Sequence, residues 1–254
     1  IRNYTANGFT EITLTGVNIG AYSFENCNFL DIIRKILATF PNIDIRLSSI
    51  EPFWLTSELC EFIGKSPQIL PHLHIPVQSG SRKVLYSMKR VAQNNATLIE
   101  QLVKLRALRP DICFGTDIIV GFPTETDACF AETHALLSTS LFAYAHIFRF
   151  SARKGTHAAT LKPLPNNTVT QRAKSLAQVD SQNRMEFARQ FLHKPIEFII
   201  EEVDNATVTG KSRNYIDITA RCESENCSIL KGTKAICYPT EASEMALNGT
   251  LMPI

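Results

Sequence analysis

The chain has 254 residues, 44% of them apolar and 20% charged, with 26 Lys and Arg against 24 Asp and Glu. That suits one large soluble domain plus a small one. No apolar run approaches the ~20 residues of a membrane-spanning helix, and no charged-then-apolar secretion signal opens the chain. Charge is uneven: residues 1–194 hold 21 basic and 15 acidic side chains, residues 195–254 hold 5 and 9. A modestly basic body with an acidic tail is weakly suggestive of a phosphate-backbone partner.

Apolar runs alternate with amphipathic ones. "EITLTGV" (11–17) reads as a strand. "FLDIIRKILATF" (29–40) places Leu30, Ile33, Ile36 and Leu37 at helical spacing. "NIDIRLSSI" (42–50) is a second strand, "LTSELCEFIGK" (55–65) a helix ended by Gly64, and "PHLHIPV" (71–77) a third strand. Two helical stretches follow, the second (95–108) opening on Asn95 as its cap. The apolar half of "DICFGTDIIVGFPTETDACF" (111–130) is the fourth strand, followed by a helix over 126–138 and a fifth strand over 142–151. Strand and helix in alternation predict a parallel α/β sheet covered on both faces: a closed or partial (βα) barrel first, an open doubly wound sheet second.

"KPLPNN" (162–167) reads as a linker and residues 168–192 as a long basic helix with Arg172, Lys174, Arg184 and Arg189. From Pro195 the texture becomes short β-rich runs, the pattern of a small antiparallel barrel of about five strands. The predicted division is residues 1–165, a connecting helix over 166–194, and residues 195–254. Seven cysteines, an odd number widely spaced, predict no disulfide framework and a reducing, cytoplasmic setting. Cys222 and Cys227 in "RCESENC" read as a loop between strands rather than a zinc knuckle.

In parallel α/β folds ligands gather at the carboxyl ends of strands. Those ends fall at residues 15–18, 48–52, 74–80, 121–126 and 148–156, all rich in small or polar side chains. Gly121, lacking a Cβ, allows close approach of a ligand to the backbone; Pro123 fixes the turn; Thr124 or Thr126 caps the next helix; Phe122 offers a face to an aromatic ring. Asn18, Gln78 and Ser79 suit either helix capping or a cofactor. Arg149, Arg153 and Lys154 follow the fifth strand, where they suit an anionic substrate. His72 and His74 share one strand face, but no third ligand stands at metal spacing in the chain, so no metal site is assigned. Walker, G-x-G-x-x-G and G-x-S-x-G motifs are absent. An ordinary barrel enzyme acting on a phosphorylated substrate would have Glu51 with His74 as its best acid–base pair.

Five segments in order, "EITLTGVNIGAY", "RLSSIEP", "HLHIPVQSGSRKVLYSMKR", "TDIIVGFPTET" and "HIFRFSARKGTHAA", resemble the radical S-adenosylmethionine methylthiotransferases across nearly all of residues 1–190. The β-rich tail resembles that family's TRAM RNA-binding domain. "RLSSIEP" and "FGTDIIVGFP" look most like the branch modifying threonylcarbamoyladenosine in tRNA, with the isopentenyladenosine and ribosomal-protein branches as alternatives. The resemblance implies S-adenosylmethionine and two 4Fe-4S clusters as cofactors, tRNA as partner, no membrane, and methylthiolation at C2 of an adenine beside the anticodon; the sulfur donor is left open. By resemblance, Thr15, Gly16, Asn18, Ser49, Gln78, Ser79, Gly121 and Phe122 face the cofactor. Arg149, Arg153 and Lys154 face the RNA, joined by Lys211 and Arg213 in the tail.

One departure stands out. The family's C-x-x-x-C-x-x-C cluster loop does not occur, and the chain reads as the family's back two-thirds, opening inside the first barrel helix. The expectation is a polypeptide that alone holds no cluster and is inactive, with an open sheet edge prone to association. A non-catalytic RNA-binding remnant of the fold is the rival reading.

Overall fold

The computed structural model describes residues 1–222 and 230–252. A short helix, α1 (Arg2–Ala6), leads into β1 (Glu11–Leu14) and a small hairpin of β2 (Ser23–Phe24) and β3 (Cys27–Asn28). Then come α2 (Phe29–Thr39), β4 (Asp44–Leu47), α3 (Ser57–Lys65), β5 (His72–His74), α4 (Arg82–Ser87), α5 (Asn95–Leu108), β6 (Cys113–Val120), α6 (Asp127–Leu137) and β7 (Tyr144–Arg149). Helix α2 starts at a reciprocal cap: Asn28 accepts from the Asp31 amide, and the Asp31 carboxylate accepts from the Asn28 amide. It buries Phe29, Leu30, Ile33 and Leu37, the predicted stripe except for Ile36, which is half-buried. Gly64 lies inside α3, which runs on to Lys65.

β1 pairs in parallel with β4, and β5, β6 and β7 form a parallel three-stranded sheet. The halves are joined where the Ile45 amide donates to the Gln68 carbonyl at 2.8 Å and the Ile50 amide to the His74 carbonyl at 2.9 Å. Strand order therefore follows chain order without reversal, as in a barrel and unlike a doubly wound sheet. Among the described residues the barrel is partial, with β1 and β7 as its outer strands.

The two faces of the sheet differ in chemistry. Ile45, Leu47, Leu73, Ile75, Phe114, Ile118, Val120 and Ala145 pack in the core beneath the helices. The alternate positions carry Arg46, His72, His74, Asp117, Tyr144 and His146. Because side chains alternate along a strand, one face is a hydrophobic core and the other a polar, aromatic lumen.

The long helix α7 (Asn166–Arg189) crosses from the first body to the second: Leu176 and Val179 join the large core, Phe187 and Ala188 the small one. Beyond it β8 (Ile196–Asp204), β9 (Thr207–Ser212), β10 (Asp217–Arg221), β11 (Lys234–Ser243) and β12 (Ala246–Leu251) close a barrel in the order β10-β12-β11-β8-β9. The expected five strands are present, but they are not all antiparallel: β10 and β12 run parallel, Asp217 opposite Ala246. Cys27, Cys60, Cys113, Cys129 and Cys237 are free and buried. The predicted loop after Cys222 lies outside the described residues.

The small barrel sits under the amino ends of the large sheet. Arg213 pairs with Asp44 at 2.7 Å and donates to the Pro67 carbonyl at 2.8 Å, and Tyr215 stacks on His72 with ring centroids 4.1 Å apart. Arg46, buried, pairs with Glu11 at 2.8 Å and donates to the Arg213 carbonyl at 3.2 Å.

Candidate functional site

The opposite end of the sheet, where the strands finish, is held together by side chains from the loops. Arg90 reaches across to the Glu51 carboxylate and donates to the Pro76 carbonyl at 3.0 Å. Gln93 donates to the Val77 carbonyl at 2.8 Å, and Asn95 to the Ser79 and Gly80 carbonyls at 3.0 and 3.2 Å. Asn95 is thus a rim tie; the cap of α5 is Asn94, which accepts from the amides of Ala96 and Thr97. Two cavities open on this rim. The larger, about 770 Å³, is lined by Gln78, Asp117, Phe122, Phe148, Arg149 and Arg153. The smaller, about 300 Å³, includes Asn18 and Glu51 and shares Lys89 and Arg90 with the first. With Glu51 spent on Arg90 and His74 on Asp117, the acid–base pair considered from sequence does not form.

The Gly121 corner is built differently from the expectation. Gly121 has φ +82°, which favours glycine, but a Cβ there would meet the Val169 side chain at 2.6 Å. The space glycine leaves is filled by α7, not left for a ligand. The Gly121 amide donates to Glu125 Oε2 at 2.9 Å, and the same carboxylate oxygen takes Arg172 Nη1 at 2.7 Å. Arg172 also pairs with Asp127 at 2.6 Å. Arg172 and Arg184, counted as part of a basic helix face, are therefore committed inside the protein, the latter to Asp180 at 2.7 Å. Thr126 caps α6, accepting from the Cys129 amide. Phe122 is buried on the cavity wall, and the ring against it is Phe150 of the same chain, edge-on at 5.1 Å.

The other rim residues divide. Thr15, Gly16 and Asn18 are exposed after β1, and Ser49 is half-buried after β4. Gln78 holds φ +66° with its amide donating to Asp117. Ser79 is fully buried, its hydroxyl 3.2 Å from Thr133 Oγ1 on α6 and accepting from the Ser81 amide, so it supports the rim from behind. Arg149, Arg153 and Lys154 are exposed. Lys211 and Arg213 stand at the far end: Lys211 pairs with Asp217 and lies over the Tyr215 ring, and Arg213 is held by Asp44, Glu197 and Pro67. The structure does not bring these two together with Arg149 and Arg153.

Sequence reading missed the lumen cluster. His74 Nε2 lies 3.1 Å from Asp117 Oδ1, and a ligand atom of His146 stands within 4.8 Å of both. These residues come from β5, β6 and β7, with Asp117 directly opposite His146 in register. Tyr144 supports them: its hydroxyl lies 2.9 Å from His72 Nε2 and 3.3 Å from His74 Nδ1. It fits because its register partner is Gly115, where a Cβ would meet the Tyr144 ring at 2.1 Å. Burial pushes the Tyr144 phenol upward, so it stays protonated, and burial with the neighbouring Arg46 charge pushes His72 well down. His146 is also lowered, by burial and then by His74, which keeps its ring neutral.

Among the described residues no set of thiolates stands at the mouth, so the residues present do not fit an iron–sulfur cluster. Ser48 Oγ, Thr124 Oγ1 and Glu125 Oε1 are buried without a hydrogen-bond partner, all just past strand ends. A cluster needs several thiolates at one place. Among the described residues the one group of three possible ligands is His74, Asp117 and His146, with no cysteine in it.

Fold and mouth together define a partial (βα) barrel with cavities open at its strand ends, seated on a small β-barrel. The chain belongs to the radical SAM superfamily, whose pattern matches residues 1–137. It is 39% identical over 205 residues to threonylcarbamoyladenosine tRNA methylthiotransferase MtaB of Rickettsia prowazekii (strain Madrid E), covering 79% of this chain and 48% of that protein. It is 33% identical to the MtaB of Bacillus subtilis (strain 168), covering 83% and 49%. A tRNA-2-methylthio-N(6)-dimethylallyladenosine synthase of Anaeromyxobacter dehalogenans (strain 2CP-C) is 32% identical, covering 97% and 54%. The chain spans about half the length of these relatives. Coproporphyrinogen III oxidase (HemN) of Escherichia coli, a radical SAM enzyme of solved structure, aligns at TM-score 0.52 and 15% identity over 70% of this chain and 42% of its own, a likeness of fold. Among the described residues no helix is long and apolar enough to cross a membrane.

Proposed function

We propose that this chain belongs to a tRNA methylthiotransferase that modifies C2 of a hypermodified adenosine beside the anticodon, threonylcarbamoyladenosine being favoured. The observation that carries the reading is a 39% identical relative of that name over four-fifths of the chain. Support comes from two cavities on one rim that share Lys89 and Arg90, the smaller lined by Asn18 and Glu51 and the larger by Gln78, Phe122 and Phe148. The reading implies a cytoplasmic protein with tRNA as partner.

S-adenosylmethionine, when bound, supplies the methyl group and, with an iron–sulfur cluster held outside this chain, the radical chemistry. The chain's own residues bind and orient. Thr15, Gly16, Asn18 and Ser49 present polar atoms and backbone from the first two strand ends. Gln78 and Phe122 supply the far wall, and Ser79 keeps that wall in place. Phe122, Phe148 and Phe150 make an apolar side that keeps water from the reacting centre. Arg149 and Arg153, with Lys154 beside them, place positive charge at the entrance for the tRNA backbone. At the other end Arg213 ties the small barrel, which we read as TRAM-like, to the large one through Asp44 and Pro67, while Lys211 is held within the small barrel by Asp217 and Tyr215.

The test is nucleoside mass spectrometry of tRNA from cells with the gene disrupted and restored. The reading expects the methylthio form of threonylcarbamoyladenosine to vanish and return. Loss of the isopentenyladenosine derivative instead would move the substrate to the other branch. An unchanged profile would leave a non-catalytic RNA-binding protein.

A further inference from the structure

We propose that His74, Asp117 and His146 form a binding site for one divalent transition-metal ion of the zinc, cobalt or iron(II) class, on the lumen floor beneath the mouth. The inference does not depend on the methylthiotransferase reading.

Two imidazoles and one carboxylate are a donor set that selects such ions over magnesium or calcium, which prefer all-oxygen shells. Bonds of about 2.0–2.2 Å to a tetrahedral ion put ligand atoms roughly 3.3–3.6 Å apart. His74 Nε2 and Asp117 Oδ1 already stand 3.1 Å apart. His146 must close from within 4.8 Å, a side-chain movement of about 1 Å. Its ring is free to make that movement: it is the exposed member and makes ring contacts with His74 and Tyr144 but no hydrogen bond to a described residue. The backbone beneath all three is a hydrogen-bonded parallel sheet, so the donors start from fixed positions.

The surroundings also suit a ligand role. Metal-bound histidine usually donates its other ring N–H to a partner that fixes its orientation. Here His74 Nδ1 faces the Tyr144 hydroxyl at 3.3 Å, and that hydroxyl in turn faces His72 Nε2 at 2.9 Å. An ion at His74 Nε2 calls for the tautomer with Nδ1–H donating to Tyr144, and it takes the place of the proton that Nε2 shares with Asp117 in the metal-free chain. Asp117 also lines the larger cavity, so ions have an open route and the remaining coordination positions face the mouth, where oxygen donors of a substrate would complete the shell.

The test uses the full 254-residue chain, stripped with a chelator and titrated with Co²⁺, Zn²⁺ and Mg²⁺. The expected result is one Co²⁺ per chain with visible d–d absorption, displaced by Zn²⁺ and untouched by excess Mg²⁺. His146→Ala, on the exposed ring, and Asp117→Asn should each weaken Co²⁺ binding by at least about tenfold while circular dichroism of the metal-free chain stays unchanged. Tyr144→Phe should weaken it by about tenfold without changing the stoichiometry. No stoichiometric binding, binding unaltered in both ligand variants, or a sulfur-to-cobalt charge-transfer band that places the ion on cysteines would each overturn the proposal.

Discussion

Arg172 Nη1 lies 2.7 Å from Glu125 Oε2 in a buried pair that joins two segments 47 residues apart. The pair sets α7 on the corner after β6, because the same carboxylate oxygen takes the Gly121 amide and the same guanidinium also donates to the Glu125 carbonyl at 3.0 Å. The mouth's far wall is therefore fixed by a residue from outside the alternating strands and helices.

Breaking that pair from one side leaves a buried charge unmatched. Arg172→Met is expected to cost about 3–5 kcal/mol of stability. Urea unfolding followed by circular dichroism measures it, and Arg172→Met with Glu125→Gln should recover a large part of the loss, because the two sites are coupled.

Gly115→Ala is expected to destabilise by about 1–3 kcal/mol through overpacking, since the added Cβ falls on the Tyr144 ring. A thermal melt checks this. In the Tyr144→Ala background the same substitution should cost far less, and equal costs in both backgrounds would show that the ring is not what the glycine makes room for.

His72 links stability to pH. Burial, then the charges of Arg46, His74 and Lys211, hold its folded pKa well below the 6.5 of the free ring. Unfolded, the ring takes up a proton below about pH 6.5. Its contribution is thus complete above that pH and is lost as pH falls through it, at up to about 1.4 kcal/mol per unit, until the folded ring also protonates. Unfolding midpoints between about pH 7 and 5.5 should show this slope in the native chain and a shallower one in His72→Gln.

The two sets of cations should separate in RNA binding. Arg149→Ala and Arg153→Ala are expected to weaken tRNA binding and to reduce the slope of log affinity against log salt by about 0.7–0.9 for each phosphate no longer neutralised. Arg213→Ala should leave that slope alone and lower the thermal midpoint, since Arg213 is occupied by Asp44, Glu197 and the Pro67 carbonyl. Filter binding across a salt series, beside a melt, reads both.

Much of this architecture is legible in the sequence because it is local. The stripe of Leu30, Ile33 and Leu37, the Thr126 cap and the polar tips after each strand follow from periodicity and capping chemistry. What is not legible depends on register between distant segments. His74, Asp117 and His146 are separated by crossover helices, so no spacing along the chain signals that three adjacent strands present them at one depth. The same holds for the Val169 side chain that fills the space beside Gly121, and for the parallel pairing of β10 with β12. Asn95 shows a subtler limit: two consecutive asparagines stand at the start of α5, and only tertiary contacts decide that Asn94 caps while Asn95 ties the rim.

Amide hydrogen exchange on the chain with and without S-adenosylmethionine tests the central claim most directly. The account predicts added protection at residues 15–18, 48–52, 74–80, 121–126 and 148–156, the tips that surround the mouth. Protection gathered instead at the seam of Arg46, Lys211 and Tyr215, or none at saturating ligand, would contradict it.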